Sequence, residues 1–89
     1  MPYIKPADRK PLDPLIAQLV KLLPEKDFAG GLNYVVSRLC AELLAREKNY
    51  ARINEITGAL ECAKLEFYRR VAAPYEDKKI AENGDVYGL

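Results

Sequence analysis

The sequence predicts an all-α protein, a small helical bundle of three main helices plus a short C-terminal helix. Apolar residues recur every three or four positions along three separate stretches, as they do on one face of a helix. Proline, glycine and asparagine residues stand between these stretches, where helix ends are expected. With 89 residues, the chain has room for one domain, which we expect to span residues 1–89.

The first expected element is an extended arm over residues 1–13. Each proline fixes its own φ and favours an extended conformation in the residue before it. Three prolines in this short stretch therefore disfavour a helix: Pro2, Pro6 and Pro11.

The first main helix is predicted over residues 14–23. Asp13 is placed to cap it, and Pro14 can occupy its first turn without loss of a needed N–H donor. Pro24 is expected to end the helix. Its apolar face consists of Leu15, Ile16, Leu19, Val20, Leu22 and Leu23.

The second main helix is predicted over residues 31–46, after a loop over 24–31. The Gly30–Gly31 pair is expected to break regular structure before the helix. Glu42 and Arg46 are spaced for a surface ion pair. The apolar face consists of Leu32, Val35, Val36, Leu39, Cys40, Leu43 and Leu44.

The longest helix is predicted over residues 50–73, with Asn49 as its cap. One apolar stripe, confined to an arc of about 80°, is expected to be buried. Gly58 is unfavourable inside a helix, which suggests that another backbone approaches closely there. The stripe consists of Ile53, Ile56, Leu60, Ala63, Phe67 and Val71.

Pro74 is expected to end or kink this helix. A short helix over residues 75–83 should follow, and Gly84 should stop it, leaving 84–89 as a tail.

Composition and charge exclude several classes of function. The net charge is +1, and no run of Lys or Arg exceeds two residues, so nucleic-acid binding is not expected. No apolar run approaches the roughly 20 residues needed to cross a bilayer, and the N-terminus lacks a signal-peptide core, so we expect a cytoplasmic protein. The chain has no His, and Cys40 and Cys62 are interpreted as packing residues rather than metal ligands.

The apolar content predicts self-association. Hydrophobic residues make up 49% of a chain too short to bury a large core. Burial against a second copy would supply the missing contacts, and two-fold dimers are the commonest oligomers. We therefore expect a homodimer or a higher homo-oligomer.

A second face of the longest helix is neither plainly polar nor plainly apolar. It contains Asn54, Glu61 and Tyr68, and Glu61 is expected to be partly buried with a hydrogen-bonding partner such as Tyr68, Asn33 or Arg38. This face is interpreted either as a ligand pocket or as a polar network that fixes helix register. Arg69 and Arg70 are further candidates for binding an anion, although adjacent arginines project about 100° apart.

An acidic pattern supports an alternative, enzymatic interpretation. Glu82–Asp85 matches the ExxD motif of all-α nucleotide pyrophosphohydrolases of the MazG kind, and it follows the stretch ECAKLE. This resemblance implies Mg²⁺ as cofactor, with Lys64 or Arg70 contacting phosphate and Glu61, Glu66 and Lys64 as catalytic candidates. Against it, Glu61 and Glu66 lie about 140° apart around a helix. The metal ligands under this alternative are Glu61, Glu66, Glu82 and Asp85; otherwise no metal or cofactor is expected.

Along its whole length the chain resembles a group of small uncharacterised proteins. The shared segments are MPYI, LNYVxxRL, YAxIN, GxLECAKLEFYRR, APYEDxKI and ENGDVY. The resemblance implies membership of a family classified as a domain of unknown function and implies no activity. The expected function is a homo-oligomeric interaction or regulatory module without catalysis, with a divergent MazG-like Mg²⁺-dependent pyrophosphohydrolase as the alternative.

Overall fold

The computed structural model describes residues 2–88, and it confirms the all-α class, with no strand in that range. Met1, the first residue of the predicted arm, and Leu89, the last residue of the predicted tail, lie outside the described residues. The elements in chain order are α1 (Pro6–Arg9), α2 (Asp13–Leu22), α3 (Ala29–Arg46), α4 (Tyr50–Phe67), a π-helix (Tyr68–Ala72) and α5 (Ala73–Asn83).

The chain divides into two units, Met1–Ile56 and Thr57–Leu89, and the boundary falls inside α4. The first unit holds α1, α2, α3 and the first turns of α4. The second holds the remaining turns of α4, the π-helix and α5. The single domain expected over 1–89 stays a prediction.

The N-terminal stretch contains a helical turn, so the prediction of a wholly extended arm over residues 1–13 is wrong. Pro6 begins α1, where a missing N–H costs nothing and a fixed φ favours the helix. Arg9 Nε donates a hydrogen bond to the Ile4 carbonyl at 2.7 Å, and this bond holds the turn against the residues before it.

Helix α2 lies within one residue of its predicted bounds, but Asp13 is not its cap. Leu12 occupies the cap position without a side-chain hydrogen bond. The Leu12 N–H donates to Arg9, and its carbonyl accepts from Ile16, both at 3.0 Å, so the chain enters α2 directly from the preceding turn. Asp13 therefore lies in the first turn, where its charge favours the positive end of the helix dipole.

Helix α3 begins at Ala29, so the prediction that Gly30–Gly31 breaks the structure is wrong. The Leu32 N–H already donates to the Phe28 carbonyl at 2.8 Å. A Cβ atom added at Gly31 would lie 2.6 Å from Leu23 Cδ2, so the missing side chain lets the end of α2 approach the start of α3. That contact offsets the low helix propensity of glycine.

The surface ion pair on α3 also differs from the expected one. Glu42 accepts a hydrogen bond from Arg38, on the preceding turn, instead of from Arg46. Both spacings are four residues, so spacing alone could not choose between the two arginines.

The turn between α3 and α4 contains a small polar network, and the predicted cap is confirmed. Asn49 Oδ1 accepts from the Arg52 backbone N–H at 2.8 Å. The Arg52 guanidinium donates to Glu47 at 3.0 Å and to Glu55 at 3.1 Å. The hydrogen bond to Glu47, followed by attraction to Glu55, raises the pKa of Arg52.

Removal of this cap should weaken the protein measurably. We expect Asn49→Ala to lower the free energy of unfolding by about 1 kcal/mol, because the Arg52 N–H loses its acceptor at a helix start. Urea denaturation followed by circular dichroism at one fixed protein concentration measures this loss. Asn49→Asp keeps an acceptor and should retain most of the stability, so equal losses in both variants would contradict the capping role.

Pro74 neither ends the long helix nor leaves it purely α-helical. Proline lacks an N–H, and its ring clashes with the carbonyl four residues earlier in a regular helix. The chain widens into the π-helix before it, where the Ala73 N–H donates to the Tyr68 carbonyl, and α5 then continues from Ala73. The predicted helix over 50–73 is therefore α4 plus a π-helical turn, and the C-terminal helix starts two residues earlier than expected.

The sequence predicts a structural role for two glycines of the second unit, Gly58 and Gly84. Gly84 stops α5 as predicted: its φ is 92°, and its N–H donates to the Ile80 carbonyl at 2.8 Å. The close backbone approach predicted at Gly58 is not found among the described residues, because a Cβ atom added there would meet none of their atoms within 4 Å.

The apolar stripe of α4 is not buried within the chain, contrary to prediction. Ile53, Leu60 and Phe67 are 46%, 43% and 67% exposed. Indeed, none of the described residues is buried. The apolar faces of the described helices thus stay largely exposed within each unit.

Candidate functional site

An exposed apolar surface of the first unit begins on α2. At about 100° per residue, the large apolar side chains of this helix fall within an arc of about 160°. Every one of them is exposed, Val20 by 64%. The opposite side of α2 holds Asp13, Gln18 and Lys21, so the helix is strongly amphipathic. The exposed apolar set is Leu15, Ile16, Leu19, Val20 and Leu22.

A second apolar face lies on α3, where Leu32, Val36, Leu39 and Leu43 follow one another at intervals of four, three and four residues. This spacing places all four within an arc of about 60° and matches the seam of packed helix pairs. Val36 is half-buried, whereas the three leucines are exposed, Leu39 by 55%.

The two faces meet where α2 ends and α3 begins. A groove of about 380 Å³ there is lined by Val20, Leu23, Pro24, Glu25, Phe28 and Leu32. A neighbouring groove of about 350 Å³ shares Phe28 and Leu32 and extends along α3 to Val36. Glu25 is the one charged residue that lines either groove. The grooves therefore join the end of α2 to the first turns of α3, and we call the apolar residues of the two helices together the α2–α3 face.

The mixed face of α4 is solvent-exposed in the chain, so the prediction that Glu61 is partly buried is wrong there. The Glu61 side chain is 55% exposed, and Oε1 pairs with Lys64 Nζ at 3.0 Å. The hydrogen-bonding partner considered on its own helix, Tyr68, is itself exposed. Of the partners considered on α3, Asn33 accepts from Ser37 and Arg38 donates to Glu42. Asn54 is likewise exposed.

Glu66 has a different environment from Glu61. Its side chain is 23% exposed, and Oε1 accepts from Arg69 Nε at 3.1 Å and from Arg69 Nη2 at 2.7 Å. Arg70, the adjacent candidate for anion binding, is exposed. The two arginines therefore do not form a joint clamp, because Arg69 is already engaged by a carboxylate.

The remaining acids of the alternative metal site are also engaged locally. Glu82 accepts from Lys79 Nζ at 3.2 Å, and Asp85 Oδ1 accepts from the Tyr87 backbone N–H at 2.9 Å. Within residues 2–88, no three Asp, Glu or Cys side chains come together in a way that could hold a metal ion. The chain thus does not gather Glu61, Glu66, Glu82 and Asp85 into one centre.

The second unit contains a groove that the sequence did not predict. It has a volume of about 590 Å³ and lies where the tail passes α5, with Tyr68, Glu76, Asp77 and Tyr87 among its lining residues. Beside it, Lys79 Nζ lies 5.5 Å from the centre of the Tyr75 ring. The positive φ at Gly84 sets the direction of the tail. No pattern in the sequence predicts that direction, so the groove could not be predicted.

Cys40 on α3 and Cys62 on α4 are both free and half-buried. Their interpretation as packing residues stays a prediction.

Comparison with known proteins identifies the family. A family model described as Domain of unknown function (DUF6899) matches residues 1–86. The chain belongs to this family. No curated protein and no solved structure matches the chain.

Membership of the DUF6899 family confirms the resemblance drawn from the segments MPYI to ENGDVY, and the match gives no support to a MazG-like relationship. The match spans both the α2–α3 face and the candidate residues from Asn54 to Asp85. The family description assigns no activity to any of them. In the described part of the chain, no helix has both the length and the apolar character required to cross a membrane.

Proposed function

We propose that this DUF6899 protein is a homo-oligomeric helical module, most simply a dimer, that acts by interaction or regulation and not by catalysis. The observation that carries the proposal is the burial pattern. No described residue is buried, while large apolar and aromatic side chains are exposed on every helix of eight or more residues.

The helices also support a partner. Helices α3 and α4 have 18 residues each, and most of the stability of a helix in a protein comes from tertiary packing of its apolar face. A partner surface along α2, α3 and α4 would supply the burial that stabilises them. A second copy is present wherever the chain is present, and it needs no other gene product.

The charged residues support a role in interaction. Glu61, Glu66 and Glu82 each pair with a Lys or Arg three residues away on the same face of the chain's own helix, as structural ion pairs do. Asn54, Tyr68 and Arg70 are exposed and leave a polar surface for a further ligand or partner. No observation favours the alternative Mg²⁺-dependent pyrophosphohydrolase, which stays a prediction.

Light scattering coupled to size-exclusion chromatography tests the proposal. At micromolar concentration we expect a species of at least twice the chain mass of 10.0 kDa. A helical species with the mass of one chain would contradict the proposal, because the apolar faces would then be stable in water without a partner.

A further inference from the structure

We draw no further inference here: the strongest candidate, the groove of the second unit where the tail passes α5, rests on the exposed carboxylates of Glu76, Asp77 and Asp85, and no second feature among residues 2–88 points to a ligand there.

Discussion

Dilution alone should unfold this protein. If the apolar faces of α2, α3 and α4 are covered only by a second copy, folding and association are one equilibrium, and stability depends on protein concentration. A 100-fold dilution should then lower the apparent free energy of unfolding by about 2.7 kcal/mol. Circular dichroism of thermal unfolding, recorded from the high micromolar range to below one micromolar, measures the shift in midpoint.

A tandem protein provides the control for this experiment. Two copies joined by a flexible Gly/Ser linker hold each other at a high effective concentration, so their midpoint should not change with dilution. A single-copy protein whose midpoint is equally independent of concentration would show that each chain is stable alone. That result would contradict the dependence of the fold on a partner.

Substitution of Leu60 by Asp should be among the most damaging single changes in the chain. Leu60 lies at the centre of the α4 stripe, with Ile56 four residues before it and Ala63 three residues after it. A stripe of this repeat is expected to be covered in the assembled protein, where an unpaired carboxylate is costly. We expect Leu60→Asp to lower the free energy of unfolding by at least about 3 kcal/mol in urea denaturation at one protein concentration.

Leu65 is the matched control on the same helix. It is 55% exposed in the chain, against 43% for Leu60, but it lies about 160° away from the centre of the stripe. Leu65→Asp should therefore cost less than about 1 kcal/mol. Similar losses from the two substitutions would mean that the repeat of the stripe does not determine which side of α4 is covered.

Local signals in the sequence placed most of the helices. The period of the apolar residues and the prolines that flank them located α2 to within one residue, and Asn49 capped α4 as expected. These features depend on residues only a few positions apart, whose hydrogen bonds and steric limits act within one or two turns. The family resemblance was equally accessible, because it depends only on residue identity along the chain.

The predictions from sequence were wrong where a tertiary contact overrode a local preference, or where two equivalent partners were available to one residue. Gly30–Gly31 favours a loop by propensity, but Leu23 packs onto the space left at Gly31 and the helix includes both. Glu42 has two arginines at equivalent spacing, and only the structure shows that Arg38 is its partner. The ring of Pro74 clashes with the preceding turn of a regular helix, and this clash could equally have ended the helix. The chain instead forms a π-helix before Pro74.

For the candidate site, the sequence located the residues but not their environment. It marked Glu61 as a carboxylate on a mixed face, and it marked Glu66, Glu82 and Asp85 as potential metal ligands. Helical spacing already placed Glu61 and Glu66 on different sides of α4. The structure adds that each of the four acids has a local hydrogen-bonding or ionic partner within a few residues.

The sequence by itself therefore determined the all-α class, the helix positions and the apolar face of each helix, because these follow from local sterics and the period of the helix. Only the tertiary structure decided that none of the described residues is buried. The physical reason is that the period of the apolar residues specifies which side of a helix is to be buried, but it does not specify which surface packs against that side. In this DUF6899 protein the surface that we propose for this role belongs to a second copy of the chain.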